Sequence, residues 1–299
     1  MLNNFDQIQD RVKSEGKKKR VLLWGADDPH WLRILTDLVA NDQIEATVLG
    51  HKPLTDEAFK KAEVPADRLV FHEANEINEA IPYIQQALRE DKIDIIVRGT
   101  VWIKDSLSAL FNRDTGFRKK KQVISAVSCH YVKDIDRLLI VTDPVVNPVP
   151  DLTRKIAIVN NAVAFAHKLE DDNPKVALLA AVETVYPVMQ HTIEAAAVAK
   201  MNDRNQIKGC LVDGPLSMDC AVIERAARAK GVTGEVGGNA NILVAPNIET
   251  AYGMNKAFTR FVGAPSGCVV IGGKVPLAMA SRADSYETKL NSIYLAMLS

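Results

Sequence analysis

Two short segments near the end of the chain combine glycine, hydroxyl, acidic and cationic side chains that could bind an anion. Gly272-Gly273-Lys274 follows an apolar run at 268–271, and Ser281-Arg282-Ala283-Asp284 precedes a segment with helical spacing. Paired glycines let the main chain approach a ligand closely, and a guanidinium can bond a phosphate or carboxylate through two N–H groups. Ser281 and Asp284 form a helix-start pattern that would place Arg282 at a helix N-terminus. Short motifs also arise without function, and the pattern alone favours a capped helix with Arg282 in an ordinary ion pair.

Acidic side chains follow two further apolar runs. Glu183 comes after the run at 175–181, and Asp213-Gly214-Pro215 and then Asp219 come after the run that begins at 209. Glu183 could act as a base with a shifted pKa. The Asp213-Gly214-Pro215 turn could contribute to a site or only end a strand, with Asp219 capping a helix that runs to Lys230 and stops at Gly231. Cys220, the neighbour of Asp219, lacks a motif that supplies a base, which favours a small helix residue over a nucleophile.

Metal and disulfide chemistry are not indicated. The six histidines show no metal-ligand spacing, so we predict no metal. The four cysteines are widely separated and predict reduced thiols. The basic runs at 17–20 and 118–121 are typical of solvated connectors, with phosphate contact as the alternative.

The elements that position these residues are short apolar runs separated by segments of helical spacing. Runs without alternation are typical of strands buried on both faces, and their alternation with helices predicts an α/β fold with a mainly parallel sheet. Three prolines in 144–150 predict a crossover or hinge, and Asp151 is a plausible N-cap for a helix over 151–169. The runs lie at 20–25, 46–50, 93–97, 138–142, 175–181, 209–213, 241–245 and 268–271.

Composition bounds the class of protein. The 299 residues carry 37 basic and 37 acidic side chains, which disfavours a nucleic-acid or membrane-surface binder. No stretch approaches the roughly 20 apolar residues of a membrane span, and the N-terminus lacks a secretory layout. We therefore expect a cytoplasmic protein.

The order of the motifs resembles the phosphate acetyl/butyryl transferase (phosphotransacylase) family over nearly the whole chain, most strongly from Ile140 onward. The resemblance is carried by Thr142-Asp143, Asn147, Pro150-Asp151-Leu152, Lys155, Asn161-Ala162-Val163, 174–179 with Glu183, 189–201, 212–216, Asp219, 242–249, 273–276 and 281–285.

This resemblance implies two α/β domains of the isocitrate/isopropylmalate dehydrogenase-like kind, with an active site in the cleft between them. We place the first domain at 1–142 plus 284–299 and the second at 143–283. The resemblance also implies a homodimer and a reversible transfer of a short-chain acyl group between coenzyme A and phosphate, by direct attack in a ternary complex. Coenzyme A is then a substrate, and no tightly bound cofactor is implied.

The reaction assigns expected roles to the candidate residues. Arg282 would hold phosphate, Ser281 would stabilise or protonate the departing thiolate, and Asp284 and Asp219 complete the expected catalytic set. The expected substrate-binding residues are Gly273, Lys274, Asp213, Gly214, Glu183, Tyr186, Tyr252 and Thr142.

The sequence departs from its relatives at several polar positions. Thr288 stands where the acetyl-transferring branch has a base aspartate, and Asp284 or Glu287 could replace it. Tyr186, Cys220, Asn241 and the pair Ala251-Tyr252 also differ from the family pattern. These changes leave open a relative that binds coenzyme A or an acyl phosphate without turnover. A dehydrogenase on the related fold is disfavoured, because neither a dinucleotide glycine fingerprint nor paired metal-binding aspartates are found.

Overall fold

The computed structural model describes residues 1–118 and 122–299, with only the main chain at Arg113. The predicted connector residues 119–121 lie outside the described residues. Within them the strands are β1 (Lys19–Trp24), β2 (Ile44–Gly50), β3 (Val70–Glu73), β4 (Ile95–Arg98), β5 (Ser125–Val132), β6 (Arg137–Thr142), β7 (Lys175–Leu179), β8 (Leu211–Leu216), β9 (Ile242–Val244), β10 (Ser266–Ile271) and β11 (Leu277–Met279).

The helices lie between the strands, as the alternating pattern predicts. They are α1 (Phe5–Glu15), α2 (Pro29–Ala40), α3 (Lys52–Ala62), α4 (Ile77–Arg89), α5 (Ile103–Phe111), α6 (Leu152–Lys168), α7 (Gln190–Asp203), α8 (Met218–Val222), α9 (Glu224–Ala229), α10 (Ile248–Ala257) and α11 (Tyr286–Leu298). Short 3₁₀ turns lie at Ala66–Arg68, Arg113–Thr115 and Lys133–Ile135, and a π-helical turn lies at Phe258–Val262. No helix in the described part of the chain is long and apolar enough to cross a bilayer.

The chain divides into two compact units. The N-terminal unit contains residues 8–124 and 267–299, and the central unit contains residues 1–7 and 125–266. The sequence analysis places its boundaries at 142/143 and 283/284 instead. The difference at the first boundary arises because β5 pairs antiparallel with β6 along its length, so residues 125–142 form one hairpin of the central unit.

The N-terminal unit is built on strands in the order β3-β2-β1-β4-β11-β10. Its pairs are parallel except β10 with β11, which run antiparallel. Leu22 on β1, Leu32 and Ile34 on α2 and Ile84 on α4 are all fully buried. This burial accounts for the runs without alternation in the sequence.

The central unit has the strand order β5-β6-β9-β7-β8, with β6, β9, β7 and β8 parallel. Its core packs strand residues such as Leu139 and Leu243 against helix residues such as Cys220 and Ala251. Asp151 caps α6 by accepting the Arg154 N–H at 2.8 Å, as predicted. The predicted α/β class with mainly parallel strands is confirmed in both units.

Candidate functional site

The carboxyl ends of β4 and β11 bring together the segments that follow these two strands. The strands are parallel, with Met279 paired to Arg98, so Gly99–Trp102 and Ala280–Asp284 leave the sheet at the same edge. Ligands of open parallel sheets bind at such an edge. The catalytic residues predicted at 281, 282 and 284 therefore lie where this fold places ligand contacts.

Arg282 is held at this edge by the segment after β4. Its Nη2 donates a hydrogen bond to the Thr100 carbonyl oxygen, and its Cζ lies 4.1 Å from the centre of the Trp102 ring. Arg282 is exposed and Trp102 is 67% exposed. These contacts are a carbonyl and an aromatic ring rather than the carboxylate of an ordinary ion pair, so the guanidinium keeps its charge directed to solvent.

The predicted position of Arg282 at a helix N-terminus is wrong. Helix α11 begins at Tyr286 and is capped by Ser285, whose side chain accepts the Thr288 N–H at 3.2 Å. Ser281 and Asp284 instead close a separate turn before the helix. The Asp284 carboxylate accepts the Ser281 N–H at 2.8 Å, and the Asp284 N–H donates to the Ser281 carbonyl at 3.0 Å. Asp284 thus fixes the main chain on both sides of Arg282.

Arg98 is a residue of this site that the sequence analysis missed. It is 5% exposed, and its guanidinium donates to the carbonyl oxygens of Val101 at 2.7 Å, Ala280 at 2.5 Å and Gly99 at 3.3 Å. Burial, together with the nearby charge of Arg282, lowers the pKa of Arg98. The available signal was a cation that ends an otherwise apolar run, Ile95-Ile96-Val97-Arg98.

Gly273 and Lys274 do not join Arg282. Because β10 runs antiparallel to β11, the segment after β10 lies at the amino end of β4 and β11. Lys274 donates to the Leu88 carbonyl and forms a 2.8 Å ion pair with Asp91, just beyond α4. The ring of Phe117 lies 2.6 Å from where a Gly273 Cβ would be. The expectation of a single anion site containing both segments is therefore corrected, since Gly273 makes room for a ring.

In the central unit, four polar side chains meet after β7 and β8. The Ser217 hydroxyl is hydrogen-bonded to Glu183 and lies 2.6 Å from Asp219 Oδ1. Lys230 Nζ lies 3.0 Å from Ser217 Oγ, 3.1 Å from Glu183 Oε1 and 3.3 Å from Asp219. The Ser217 hydrogen bonds, and then Lys230, lower the pKa of Glu183 and that of Asp219. These contacts favour ionised carboxylates and disfavour the hypothesis that Glu183 is a base with a raised pKa.

Asp219 is not the cap of its helix. Ser217 occupies the N-cap position of α8, and the Asp219 carboxylate turns to Ser217 and Lys230. A carboxylate oxygen of Glu183, one of Asp219 and the Cys220 sulfur lie within 4.8 Å of one another, a spacing that a metal ion could use. The Lys230 ammonium offsets one of the two carboxylate charges, and the absence of a metal stays a prediction.

Three predicted substrate-binding positions have main-chain or core roles. Asp213 and Gly214 lie inside β8 rather than in a turn after it. Asp213 accepts the Gly214 N–H at 2.8 Å, and burial raises its pKa. A Cβ at Gly214 would meet Leu178 Cβ at 2.7 Å, so strand packing requires the glycine. Thr142 is fully buried and donates to the Ala126 carbonyl at 2.8 Å, so its hydroxyl has a role in the core.

The positions predicted to depart from the family pattern divide into exposed and structural ones. Tyr186 and Tyr252 are about half exposed, at 48% and 53%. Ala251 is fully buried in the core. Asn241 precedes β9 at its amino end, where its side-chain oxygen accepts the Lys175 N–H at 2.7 Å and its amide donates to Asp171.

An apolar cavity of about 660 Å³ opens at the carboxyl ends of β7 and β9 within the central unit. Its walls include Leu179, Ala181, Met189, Met218 and Met254, with Asn247 and Thr250 among the polar lining residues. Flexible thioether side chains adapt to irregular apolar groups. The lining therefore suits an aliphatic chain.

A buried ion pair supports one wall of this cavity. Lys155 on α6 bonds to Glu194 on α7, and Lys155 Nζ lies 3.3 Å from Nδ1 of His191, a lining residue. Burial, and then the charge of Lys155, lowers the pKa of His191. This shift favours the neutral imidazole.

Comparisons with known proteins point to one family. Residues 69–297 match the family model described as "Phosphate acetyl/butaryl transferase". The phosphate butyryltransferase of Clostridium acetobutylicum is 40% identical over 299 residues, which cover 100% of this chain and 98% of the relative. The solved branched-chain phosphotransacylase of Enterococcus faecalis has a TM-score of 0.81 at 25% identity and covers 94% of this chain and 98% of its own.

A more distant structure shares the fold alone. It is described as a candidate 4-hydroxythreonine-4-phosphate dehydrogenase from Salmonella typhimurium, with a TM-score of 0.55 at 14% identity over 94% of this chain and 99% of its own. The predicted dehydrogenase-like fold class is thereby confirmed.

Proposed function

This chain belongs to the phosphate acetyl/butyryl transferase family, and we propose that it transfers a short-chain acyl group between coenzyme A and inorganic phosphate. An oxygen of phosphate attacks the thioester carbonyl carbon, so that a C–O bond forms and the C–S bond breaks. The departing thiolate takes up a proton and leaves as free coenzyme A. The products are an acyl phosphate and the thiol, and the reverse reaction uses the same groups.

The observation that carries this proposal is the presentation of Arg282 beside Ser281. Its guanidinium is exposed, and it is anchored through one N–H to the Thr100 carbonyl and through one face to Trp102. Its remaining N–H groups can bond phosphate oxygens without first ordering a flexible side chain, and preorganised donors of this kind stabilise developing negative charge. Ser281, whose main chain is fixed by Asp284, is the proposed donor to the leaving sulfur.

Further properties of the enzyme are proposed on the resemblance and the sequence. Acyl-CoA and phosphate are its small-molecule substrates, and it works as a homodimer in the cytoplasm without a tightly bound cofactor. Size-exclusion chromatography with light scattering tests the dimer, since a monomer at assay concentration would contradict it.

The function is tested by thiol release from acetyl-, propionyl-, butyryl- and isobutyryl-CoA, each with and without phosphate. We expect release that depends on phosphate, with formation of an acyl phosphate that hydroxylamine traps. Release at the same rate without phosphate would indicate a hydrolase and contradict the proposal. Coenzyme A binding by calorimetry, with no release from any substrate, would favour the relative that binds without turnover.

A further inference from the structure

Arg98 links the two segments that form the Arg282 site. We propose that Arg98 is a positioning residue for phosphate recognition, which holds the segment after β4 against the segment after β11 so that Arg282 is presented in one orientation. This inference rests on the proposed function, because it takes Arg282 as the phosphate-binding group.

The link is a continuous chain of contacts within the N-terminal unit. One guanidinium nitrogen of Arg98 bonds the Val101 carbonyl at 2.7 Å, and the other bonds the Ala280 carbonyl at 2.5 Å. Ala280 directly precedes Ser281 and Arg282, and Val101 lies between the two residues that hold Arg282. Displacing either carbonyl therefore shifts the Arg282 guanidinium relative to its anchors.

The segment after β4 has little freedom to compensate. A Cβ at Gly99 would lie 1.9 Å from the Gly25 carbonyl oxygen, so the turns after β1 and β4 touch. The Thr100 hydroxyl also bonds to Asp27, at the end of the β1 turn. Arg98 completes this rigid arrangement on the side that faces β11.

Arginine is required here for its geometry as well as its charge. The two carbonyl oxygens are reached by two different nitrogens of one planar fork, whereas a lysine ammonium is a single point donor on a flexible chain. Arg98 Nε is buried without a hydrogen-bond partner among the described atoms. A buried cation with an unpartnered N–H is costly, and bridging the two segments is the role that accounts for it.

The test compares Arg98→Lys and Arg98→Met with Arg282→Met and with a matched control, Arg137→Lys. The Arg137 guanidinium likewise bonds main-chain carbonyls, of Gly238 at 3.4 Å and of Ala240 at 3.1 Å, but in the central unit. We expect the KM for phosphate to rise about 10- to 100-fold in both Arg98 variants, as misplacement of a binding group produces. The KM for acyl-CoA should change little, and Arg137→Lys should leave both values near wild type.

A second readout does not depend on turnover. Trp24 and Trp31 are 3% and 1% exposed while Trp102 is 67% exposed, so acrylamide quenching reports mainly Trp102, with Trp102→Phe as the blank. Loss of the Arg282 stacking should raise the quenching constant of Arg98→Lys toward that of Arg282→Met.

The outcomes separate the two proposals. A raised phosphate KM with raised quenching in Arg98→Lys supports positioning. The positioning role would be overturned if Arg98→Lys had the wild-type phosphate KM and the wild-type quenching constant while Arg282→Met changed both. Rescue of phosphate KM by lysine but not methionine would also overturn it, because charge alone would then suffice. If the wild type shows no turnover, the proposed function fails, and the quenching comparison still decides whether Arg98 positions Arg282.

Discussion

Replacing Arg282 is expected to weaken phosphate use severely while leaving the fold intact. The side chain is exposed, and its described contacts are one hydrogen bond to the Thr100 carbonyl and the stacking on Trp102. An exposed cation–π contact contributes about 0.5–1 kcal/mol. A typical hydrogen bond contributes about 0.5–1.5 kcal/mol, so Arg282→Ala should lower the free energy of unfolding by no more than about 2.5 kcal/mol.

The loss of phosphate binding can be worked from the donors that remain. A guanidinium has five N–H groups, and one of them is used on Thr100. A hydrogen bond to a charged group contributes about 1.5–3 kcal/mol. We take the net contribution of the Arg282 side chain to phosphate binding as one such hydrogen bond. Because about 1.4 kcal/mol corresponds to a tenfold change in affinity, the KM for phosphate should rise about 10- to 150-fold in Arg282→Ala. Arg282→Lys should fall between wild type and Arg282→Ala, because it keeps the charge and loses the fork.

The assay is thiol release at saturating acyl-CoA over a phosphate titration, with unfolding in urea measured on the same preparations. Arg89→Ala is a matched control, because Arg89 is an exposed arginine in the last turn of α4, at the amino end of β4. It should leave the phosphate KM unchanged. Normal phosphate kinetics in Arg282→Ala would refute the assignment of Arg282 as the anion-binding group.

Three further predictions follow from buried charge and from the cavity. Lys289 is 2% exposed and forms a 2.7 Å ion pair with Asp28, which is 13% exposed. Lys289→Met should lower the free energy of unfolding by about 3–5 kcal/mol, because it leaves a largely buried carboxylate unpaired, and the double variant with Asp28→Asn should recover part of this loss. A loss below about 1 kcal/mol in urea unfolding would contradict the prediction. Burial lowers the pKa of His130 to about 3, below the roughly 6.5 of an unfolded histidine. The unfolded chain therefore binds a proton at this residue before the folded chain does, and the stability that the neutral His130 provides above about pH 6.5 is lost as the pH falls toward about 3. Between pH 6.5 and 5 the free energy of unfolding of wild type should then fall by about 1.6 kcal/mol more than that of His130→Gln, and equal falls measured by urea unfolding would count against this. Ala181→Leu narrows the apolar cavity of the central unit and should lower kcat/KM for butyryl-CoA more than for acetyl-CoA. An equal loss of kcat/KM for both substrates would show that this cavity does not bind the acyl chain.

Runs of apolar residues in the sequence predicted the strands well. These runs could not predict the direction in which each strand lies in the sheet. The run at 268–271 was found, but its antiparallel pairing with β11 depends on partners far away in sequence. Reading ligand contacts from whatever follows each strand therefore placed Lys274 at the wrong edge. The same reasoning succeeded for Arg282, because β11 is parallel to β4.

Side-chain roles were harder to predict than elements, since they depend on what the neighbouring strands bring close. Asp213 and Gly214 carry a turn-like sequence, yet both lie inside β8, where Leu178 leaves no room for a Cβ at Gly214. Arg98 was missed because a single cation at a strand end has no motif. Its importance appears only when the carbonyls of Val101 and Ala280, far apart in sequence, are found on one guanidinium.

The positions predicted to depart from the family pattern have different local environments. Asn241, which the sequence analysis marks as a departure from the family pattern, donates its amide to Asp171, and an aspartate there would place two carboxylates against each other. This substitution is therefore explained by its local partner. Ala251 is fully buried, and Thr288 lies in the first turn of α11, with its N–H bonded to the Ser285 cap. Tyr186 and Tyr252 are half-exposed side chains, and we predict that a loss or change of turnover would originate at these two residues.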